Sequence, residues 1–204
     1  MAELIFYTHP MSRGRVARWM LEEVGASYRT EILDYDTTMK GAEYRAINPM
    51  GKVPAIRHGD TIVTECAAIC AYLADAFPAA GLAPPPTERG DYYRWLFFAA
   101  GPVEQAIVNT SMGFRVPEGK EAMAGWGSID AVCDTLDGTL TTREYIAGDR
   151  FSAADVYVGA QIGWGMQFGT LPSRPSFAGY VERIDARPAA VRAQEIDDAL
   201  LANG

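Results

Sequence analysis

Histidine and cysteine are scarce in this chain of 204 residues, which has two histidines and three cysteines. No Cys-x-x-Cys pair occurs and no His/Cys group has zinc-site spacing, so we expect no bound metal. The small, odd set of Cys66, Cys70 and Cys133 is typical of reduced thiols and not of a disulfide framework. We therefore expect a cytoplasmic location.

Long apolar runs and an excess of basic residues are also absent. No uncharged apolar run reaches the roughly 18 residues that a membrane span needs. The segment Met1-Ala2-Glu3-Leu4 has no basic region, so a secretory signal is not expected. The formal net charge is −8, and an acidic chain without a basic face is a poor candidate for binding nucleic acid.

The chain divides by pattern into two predicted domains. Residues 1–78 alternate in the order strand, helix, strand, helix, strand, strand, helix. Three consecutive prolines within residues 79–86 predict a stiff linker. Residues 87–204 show helical periodicity, with Gly101-Pro102 predicting a kink and one long helix predicted over residues 121–140.

The most informative stretch is Asn48-Pro49-Met50-Gly51-Lys52-Val53-Pro54 with the later Thr64-Glu65-Cys66-Ala67-Ala68-Ile69. Pro54 lacks an N–H for a sheet, so the backbone of Val53 beside it is predicted to be open to an extended peptide. The helix predicted to begin near Cys66 offers free N–H groups to a carboxylate, and Glu65 would take an ammonium. Lys52 adds a cation, so the stretch fits a small zwitterionic peptide with two acidic ends.

These two motifs resemble the glutathione site of the cytosolic glutathione transferase superfamily. The resemblance implies an α/β plus all-α fold: a thioredoxin-like N-terminal domain followed by an all-helical C-terminal domain, in a homodimer. It also implies glutathione as cosubstrate. The implied glutathione-binding residues are Lys40, Lys52, Val53, Pro54, Glu65 and Cys66. Cys66 stands where the family usually has serine, and a thiol is the weaker hydrogen-bond donor.

The stretch Thr8-His9-Pro10-Met11-Ser12-Arg13 resembles the family's catalytic loop. Ser12 precedes a predicted helix, where a hydroxyl, a helix N-terminus and the cations Arg13 and Arg15 would favour a thiolate. Tyr7 is the alternative, because Tyr-type members place the hydroxyl at the end of this strand. Thr8 and His9 are weaker candidates.

The second predicted domain carries aromatic and Met side chains that form its core or line an apolar pocket for a second substrate. The pocket candidates are Tyr92, Trp95, Phe98, Met112 and Phe114. Ser152 and Asp155 are spaced as a capping box before a helix that is apolar nearly all round, so we assign them to folding.

The function that this resemblance implies is conjugation of the glutathione thiolate to apolar electrophiles, a detoxification chemistry. A family member that binds glutathione or an apolar ligand without turnover is the alternative. A glutathione-dependent reductase is disfavoured, because those branches use a loop cysteine and none lies between Met1 and Glu65.

Overall fold

The computed structural model describes residues 2–202, which form two compact units. Residues 2–82 together with 186–202 form a mixed α/β unit, and residues 83–185 form a helical unit. Among residues 2–202, no helix combines the length and apolar character that crossing a membrane requires.

The α/β unit is built on a four-stranded sheet in the order β2-β1-β3-β4. The strands are β1 (Leu4–Thr8), β2 (Arg29–Ile32), β3 (Ala55–His58) and β4 (Thr61–Thr64). β1 runs parallel to β2 and antiparallel to β3, with Tyr7 opposite Ala55. β3 and β4 form a hairpin through Gly59 and Asp60, with Gly59 at a φ of 59°. The end of β1 and the start of β3 therefore lie side by side.

Three helices belong to the first part of the α/β unit: α1 (Gly14–Val24), α2 (Ala42–Arg45) and α3 (Cys66–Ala76). α1 ends at Gly25, whose left-handed φ of 64° is a common helix stop. The sheet and these helices bury an apolar core that includes Phe6, Met20 and Ile69. The predicted element order and the thioredoxin-like fold class are confirmed.

The C-terminal helix α9 (Pro188–Ala202) lies in the α/β unit and not with the other helices. This corrects the predicted division, which placed all of residues 87–204 in one helical domain. α9 buries Ala189 and Ala193, and its Asp197 pairs with Arg18 of α1 at 2.8 Å. Ion pairs with α1 thus fix α9 to the first unit, and helical periodicity alone does not reveal them.

The helical unit contains α4 (Gly90–Phe98), α5 (Glu104–Ser111), α6 (Ile129–Leu140), α7 (Ala153–Gln167) and α8 (Pro175–Asp185). A π-helical turn, Ala99–Val103, joins α4 to α5 and contains Pro102. A proline removes a helical hydrogen bond, which accounts for the irregular turn where Gly101-Pro102 predicted a kink.

Two helix starts differ from the sequence prediction. α6 begins at Ile129, capped by the Ser128 hydroxyl, and residues 121–123 form only a short 3-10 turn. Gly127, at a φ of 70°, separates the two segments. α4 begins at Gly90 and not at Thr87, where the predicted helical domain begins; Thr87 falls in a 3-10 turn.

The start of α7 carries the capping box that the sequence predicted. Asp155 is fully buried and accepts hydrogen bonds from the Ser152 N–H at 2.8 Å and the Ser152 hydroxyl at 3.0 Å. Its other carboxylate oxygen accepts the Ile146 N–H at 2.7 Å and the Tyr180 hydroxyl at 2.8 Å. The box therefore ties α7 to α8 and to the preceding loop, a structural role within the helical unit.

Candidate functional site

The loop between β1 and α1 is held by a local network. The Nδ1 atom of His9 accepts the Met11 N–H at 3.1 Å, so a neutral His9 carries its proton on Nε2. The ring of Tyr35 lies 4.5 Å from the His9 ring, and its hydroxyl donates to the Met11 carbonyl at 2.9 Å. His9 thus acts on the loop's own backbone in this structure.

Ser12 lies in this loop and is half-buried. Its hydroxyl donates to the His9 carbonyl at 2.6 Å and accepts the Gly14 N–H at 2.9 Å. Arg13, and not Ser12, is the cap residue of α1. For Ser12 to give its proton to a thiolate, the hydroxyl must first turn away from the His9 carbonyl.

Gly14 allows the start of α1 to approach the end of β1. A Cβ atom at Gly14 would lie 1.8 Å from Oγ1 of Thr8 and 3.0 Å from Oγ of Ser12. Only glycine fits such a contact, since real Cβ atoms do not approach that closely. Thr8 is fully buried beneath this glycine, which leaves its hydroxyl out of reach of a ligand.

Arg15 does not offer the open cation that the sequence predicted near Ser12. Its Nε donates to the Pro10 carbonyl at 2.7 Å, and its Nη2 pairs with Asp198 at 2.6 Å. Asp198 therefore offsets much of the charge of Arg15, and the guanidinium serves the loop backbone.

Tyr7 points to the opposite face of β1 from Thr8, because side chains alternate along a strand. Its ring packs 5.6 Å from that of Tyr44, in an apolar cluster with Met39 and Ala55. Tyr7 is half-buried and packs its ring against this cluster, whereas the Ser12 hydroxyl lies in the loop itself, which favours Ser12 over Tyr7.

The segment before β3 is fixed by donors to its carbonyls. The Lys52 carbonyl accepts the Tyr44 hydroxyl at 2.6 Å and the Asn48 side-chain amide at 2.8 Å. The Gly51 carbonyl accepts Nζ of Lys40 at 2.5 Å. Lys40 therefore braces the segment, whereas the side chain of Lys52 is exposed.

The backbone beside Pro54 is open. The Val53–Pro54 peptide bond is cis, and β3 begins only at Ala55. Within residues 2–202, neither the N–H nor the C=O of Val53 has a hydrogen-bond partner. An extended peptide can therefore pair with Val53 in the way that an added strand pairs with a sheet edge.

The start of α3 is the third part of the candidate site, after the Ser12 loop and the segment before β3. Glu65 is exposed and has a φ of 66°, the one positive φ of a non-glycine residue among residues 2–202. Such strained backbone clusters at binding sites. The thiol of Cys66 donates to the Arg13 carbonyl at 3.6 Å. The start of α3 and the Ser12 loop are thereby in direct contact.

Cys66 also contacts a second thiol one turn along α3. The hydrogen bond with Cys66 and burial raise the pKa of Cys70 well above its usual range. Cys70 is fully buried and stays protonated at neutral pH, so its role is packing. Among residues 2–202, no group of His, Cys, Asp and Glu side chains is arranged to hold a metal ion.

The five pocket candidates do not share one environment in the helical unit. Tyr92 and Trp95 are 1% and 0% exposed, so both are core residues, and their prediction as pocket lining is corrected. Phe98 is half-buried and packs edge-to-face on Trp95 at 5.4 Å. Met112 and Phe114 are 79% and 57% exposed. The apolar face of α4 is continuous in sequence, and its pattern does not show how deep each side chain lies.

Sequence reasoning missed several residues that organise the site. Tyr35 and Tyr44 hold backbone carbonyls, and Asp198 reaches the loop from α9. Asn48 belongs to the predicted motif, but the sequence does not predict its donation to the Lys52 carbonyl. Asn48 before Pro49 carried a turn signal. The contacts of Tyr35 and Asp198 depend on tertiary structure and leave no local signal.

Two family models match the chain. The glutathione S-transferase N-terminal domain matches residues 11–76, and the glutathione S-transferase C-terminal domain matches residues 96–188. Among curated proteins, glutathione S-transferase F10 of Arabidopsis thaliana is 30% identical over 168 residues, covering 75% of this chain and 76% of the relative.

Solved structures show the same likeness. A glutathione transferase from Methylococcus capsulatus superposes with a TM-score of 0.80 at 28% identity, covering 96% of this chain and 99% of the other. A sphingomonad glutathione S-transferase complexed with glutathione gives a TM-score of 0.75 at 29% identity, covering 95% of this chain and 98% of the other.

Proposed function

Because the chain belongs to the glutathione S-transferase family, we propose that it conjugates the thiolate of glutathione to apolar electrophilic substrates. The observation that carries the proposal is the meeting of three segments at one end of the sheet, where β1 and β4 end and β3 begins. These are the Ser12 loop, the open backbone of Val53 and the start of α3, joined by the contact between Cys66 and Arg13.

Each segment suits one part of glutathione as cosubstrate. The cysteinyl backbone pairs with Val53, next to Pro54, as a short added strand. The γ-glutamyl end lies at the start of α3, where Glu65 takes the ammonium and Cys66 with the free N–H groups takes the carboxylate. Lys52 lies on the segment before β3, and Lys40 contacts that segment through the Gly51 carbonyl; the two cations favour the glycyl carboxylate.

Ser12 is proposed to stabilise the thiolate. Its hydroxyl leaves the His9 carbonyl and donates to the glutathione sulfur, while the start of α1 favours the negative charge. The thiol proton passes to solvent, and the sulfur forms a bond to the electrophilic carbon. In a substitution the bond from that carbon to a leaving group breaks, and the group departs with the electron pair; in an addition the π bond of the electrophile breaks, and the atom that receives its electrons takes a proton from solvent. The protein accelerates the reaction by raising the thiolate fraction and by holding the two reactants together.

The second substrate is proposed to be apolar, with Phe98, Met112 and Phe114 as its remaining candidate contacts. Met and aromatic side chains suit a broad range of ligands. A cytoplasmic role in detoxification is part of the same proposal. We also propose that the protein is a homodimer. Tyr93 and Phe97, one turn apart on α4, are both exposed and offer an apolar face for a second copy of the chain. Sedimentation velocity would measure the mass directly.

The decisive experiment titrates the thiol of bound glutathione by thiolate ultraviolet absorbance in wild type, Ser12→Ala and Tyr7→Phe. We expect a wild-type pKa clearly below the free-thiol value of about 8.5. That pKa should return toward the free value in Ser12→Ala and stay low in Tyr7→Phe. A return only in Tyr7→Phe would move the role to Tyr7.

Two observations favour a second candidate, a family member that binds glutathione without useful turnover. The Ser12 hydroxyl proton is already engaged by the His9 carbonyl at 2.6 Å, and Cys66 is a weak donor. A wild-type protein that binds glutathione by calorimetry, leaves its thiol protonated and turns over none of several electrophiles would establish this candidate.

A further inference from the structure

Three consecutive backbone carbonyls of the Ser12 loop are each held by a different side chain. The His9 carbonyl accepts the Ser12 hydroxyl at 2.6 Å, and the Pro10 carbonyl accepts Nε of Arg15 at 2.7 Å. The Met11 carbonyl accepts the Tyr35 hydroxyl at 2.9 Å. The direction of each peptide unit before Ser12 is therefore set by a side chain outside it.

The middle contact depends on α9. Arg15 uses Nε for the Pro10 carbonyl and Nη2 for Asp198, at 2.6 Å. A guanidinium is planar and rigid, so a partner on one nitrogen fixes the direction of the others. The side chain of Arg15 is 24% exposed and that of Asp198 is 53% exposed. Without Asp198, the arginine would be free to leave the loop for solvent.

We propose that Asp198 of α9 is a positioning residue for Ser12, acting through Arg15 and the Pro10 carbonyl. Asp198 has no role in binding glutathione or in the reaction itself. Its function is to keep Arg15 on the loop, and so to keep the Ser12 hydroxyl where it meets the thiolate. The catalytic part of this inference rests on the proposed function above.

The structure supplies a matched control. Arg192, also on α9, pairs with Glu22 of α1 at 3.4 Å. Arg192→Gln and Asp198→Asn each remove one partly exposed ion pair between α9 and α1. Of these two pairs, only that of Asp198 includes a residue, Arg15, that also contacts the Ser12 loop. A purely structural role for such pairs predicts equal effects of the two variants.

The first readout is amide hydrogen exchange, which needs neither ligand nor turnover. In Asp198→Asn we expect the amides of residues 11–14 to exchange several-fold faster than in wild type, because the loop loses one of its three anchors. Arg192→Gln should leave these amides unchanged. Equal exchange of these amides in wild type and Asp198→Asn would overturn the proposal.

The second readout is catalytic. With saturating glutathione, Asp198→Asn should lower kcat about three- to fivefold, the range expected for a partly exposed ion pair. It should also raise the thiol pKa of bound glutathione, while the Kd for glutathione stays within about twofold. Arg15→Lys should share this loss, and the double variant should lose no more than either single one. Asp198→Glu should restore most of the rate.

The two hypotheses fail in different ways. If wild-type protein leaves the thiol pKa of bound glutathione at the free value, the transferase proposal fails. Amide hydrogen exchange would still show whether Asp198 positions the Ser12 loop. A low wild-type pKa that Asp198→Asn leaves unchanged, or lowers by freeing Arg15, would overturn the positioning role alone.

Discussion

The thiol of Cys66 donates to the backbone carbonyl of Arg13 across 3.6 Å. This single contact joins the first residue of α3 to the loop that carries Ser12. Cys66 is 7% exposed, so its side chain faces the loop and not open solvent. The residue that stands in place of the family's usual serine is therefore also the link between two parts of the candidate site.

Replacing Cys66 tests that link. Cys66→Ser places a stronger donor at nearly the same size. If this donor turns from the Arg13 carbonyl to the γ-glutamyl carboxylate, glutathione should bind about fivefold tighter, which corresponds to roughly 1 kcal/mol for one hydrogen bond. Cys66→Ala removes the donor and should weaken binding by a similar factor. Isothermal titration with glutathione measures both. Binding equal in all three proteins would show that Cys66 does not contact the ligand.

A matched control comes from Cys133, a buried thiol of the helical unit. Cys133→Ala should leave the Kd for glutathione unchanged, although removing this buried thiol should lower the free energy of unfolding somewhat. A shift in Kd for Cys133→Ala as large as that for Cys66→Ala would indicate a general loss of structure.

Removing the buried carboxylate at the start of α7 should strongly destabilise the protein. Asp155→Ala leaves the Ile146 N–H, the Ser152 N–H and the Tyr180 hydroxyl without their acceptor. Unpaired buried groups cost about 1–3 kcal/mol each, so we expect a loss of at least about 3 kcal/mol. Ser152→Ala should cost only about 1 kcal/mol. Urea unfolding at neutral pH measures both, and equal losses would contradict this assignment.

Much of the α/β unit is predictable because its signals are local. Alternating and helical periodicities give the element order, and the glycine and proline positions give the breaks, as at Gly25 and Pro54. The motif around Val53 and Glu65 predicts an open backbone next to a helix start, and the structure has both. Whether glutathione occupies them stays a prediction.

The remaining features depend on contacts between distant residues. α9 joins the α/β unit through pairs such as Arg18 with Asp197, which are 179 positions apart. The burial of Tyr92 and Trp95 depends on which helices cover α4. The apolar spacing of Met123 and Trp126 extended the predicted α6 too far, although Ser128 carried a cap signal.

The buried pair of Arg18 and Asp197 gives a stability prediction. Both side chains are nearly inaccessible, at 2% and 1% exposed, and the arginine also lies 5.1 Å from the Phe6 ring. Asp197→Ala would leave a buried charge without its partner, at a cost of about 3–5 kcal/mol. The double variant Arg18→Met, Asp197→Leu removes both charges and should recover most of that loss. The urea concentrations at the unfolding midpoints measure these stabilities. A double variant less stable than Asp197→Ala would refute the prediction.

Tyr28 gives a prediction for alkaline pH. Burial, and then the hydrogen bond of its hydroxyl to Glu22 at 2.7 Å, raise the pKa of Tyr28 from 10.0 to about 12. The folded protein therefore keeps a proton that the unfolded chain releases near pH 10. The stabilisation is fully present below that pH and is lost as the pH rises toward 12.

Tyr28→Phe lacks this proton in both states. The difference in unfolding free energy between wild type and Tyr28→Phe should therefore be constant from about pH 7 to about pH 9 and should shrink above pH 10. Urea unfolding at a series of pH values measures the difference, and tyrosinate absorbance of the folded protein gives an independent titration. A difference that stays constant to pH 11 would mean that the hydroxyl of Tyr28 titrates alike in the folded and unfolded chains, and that its contact with Glu22 does not favour the protonated form.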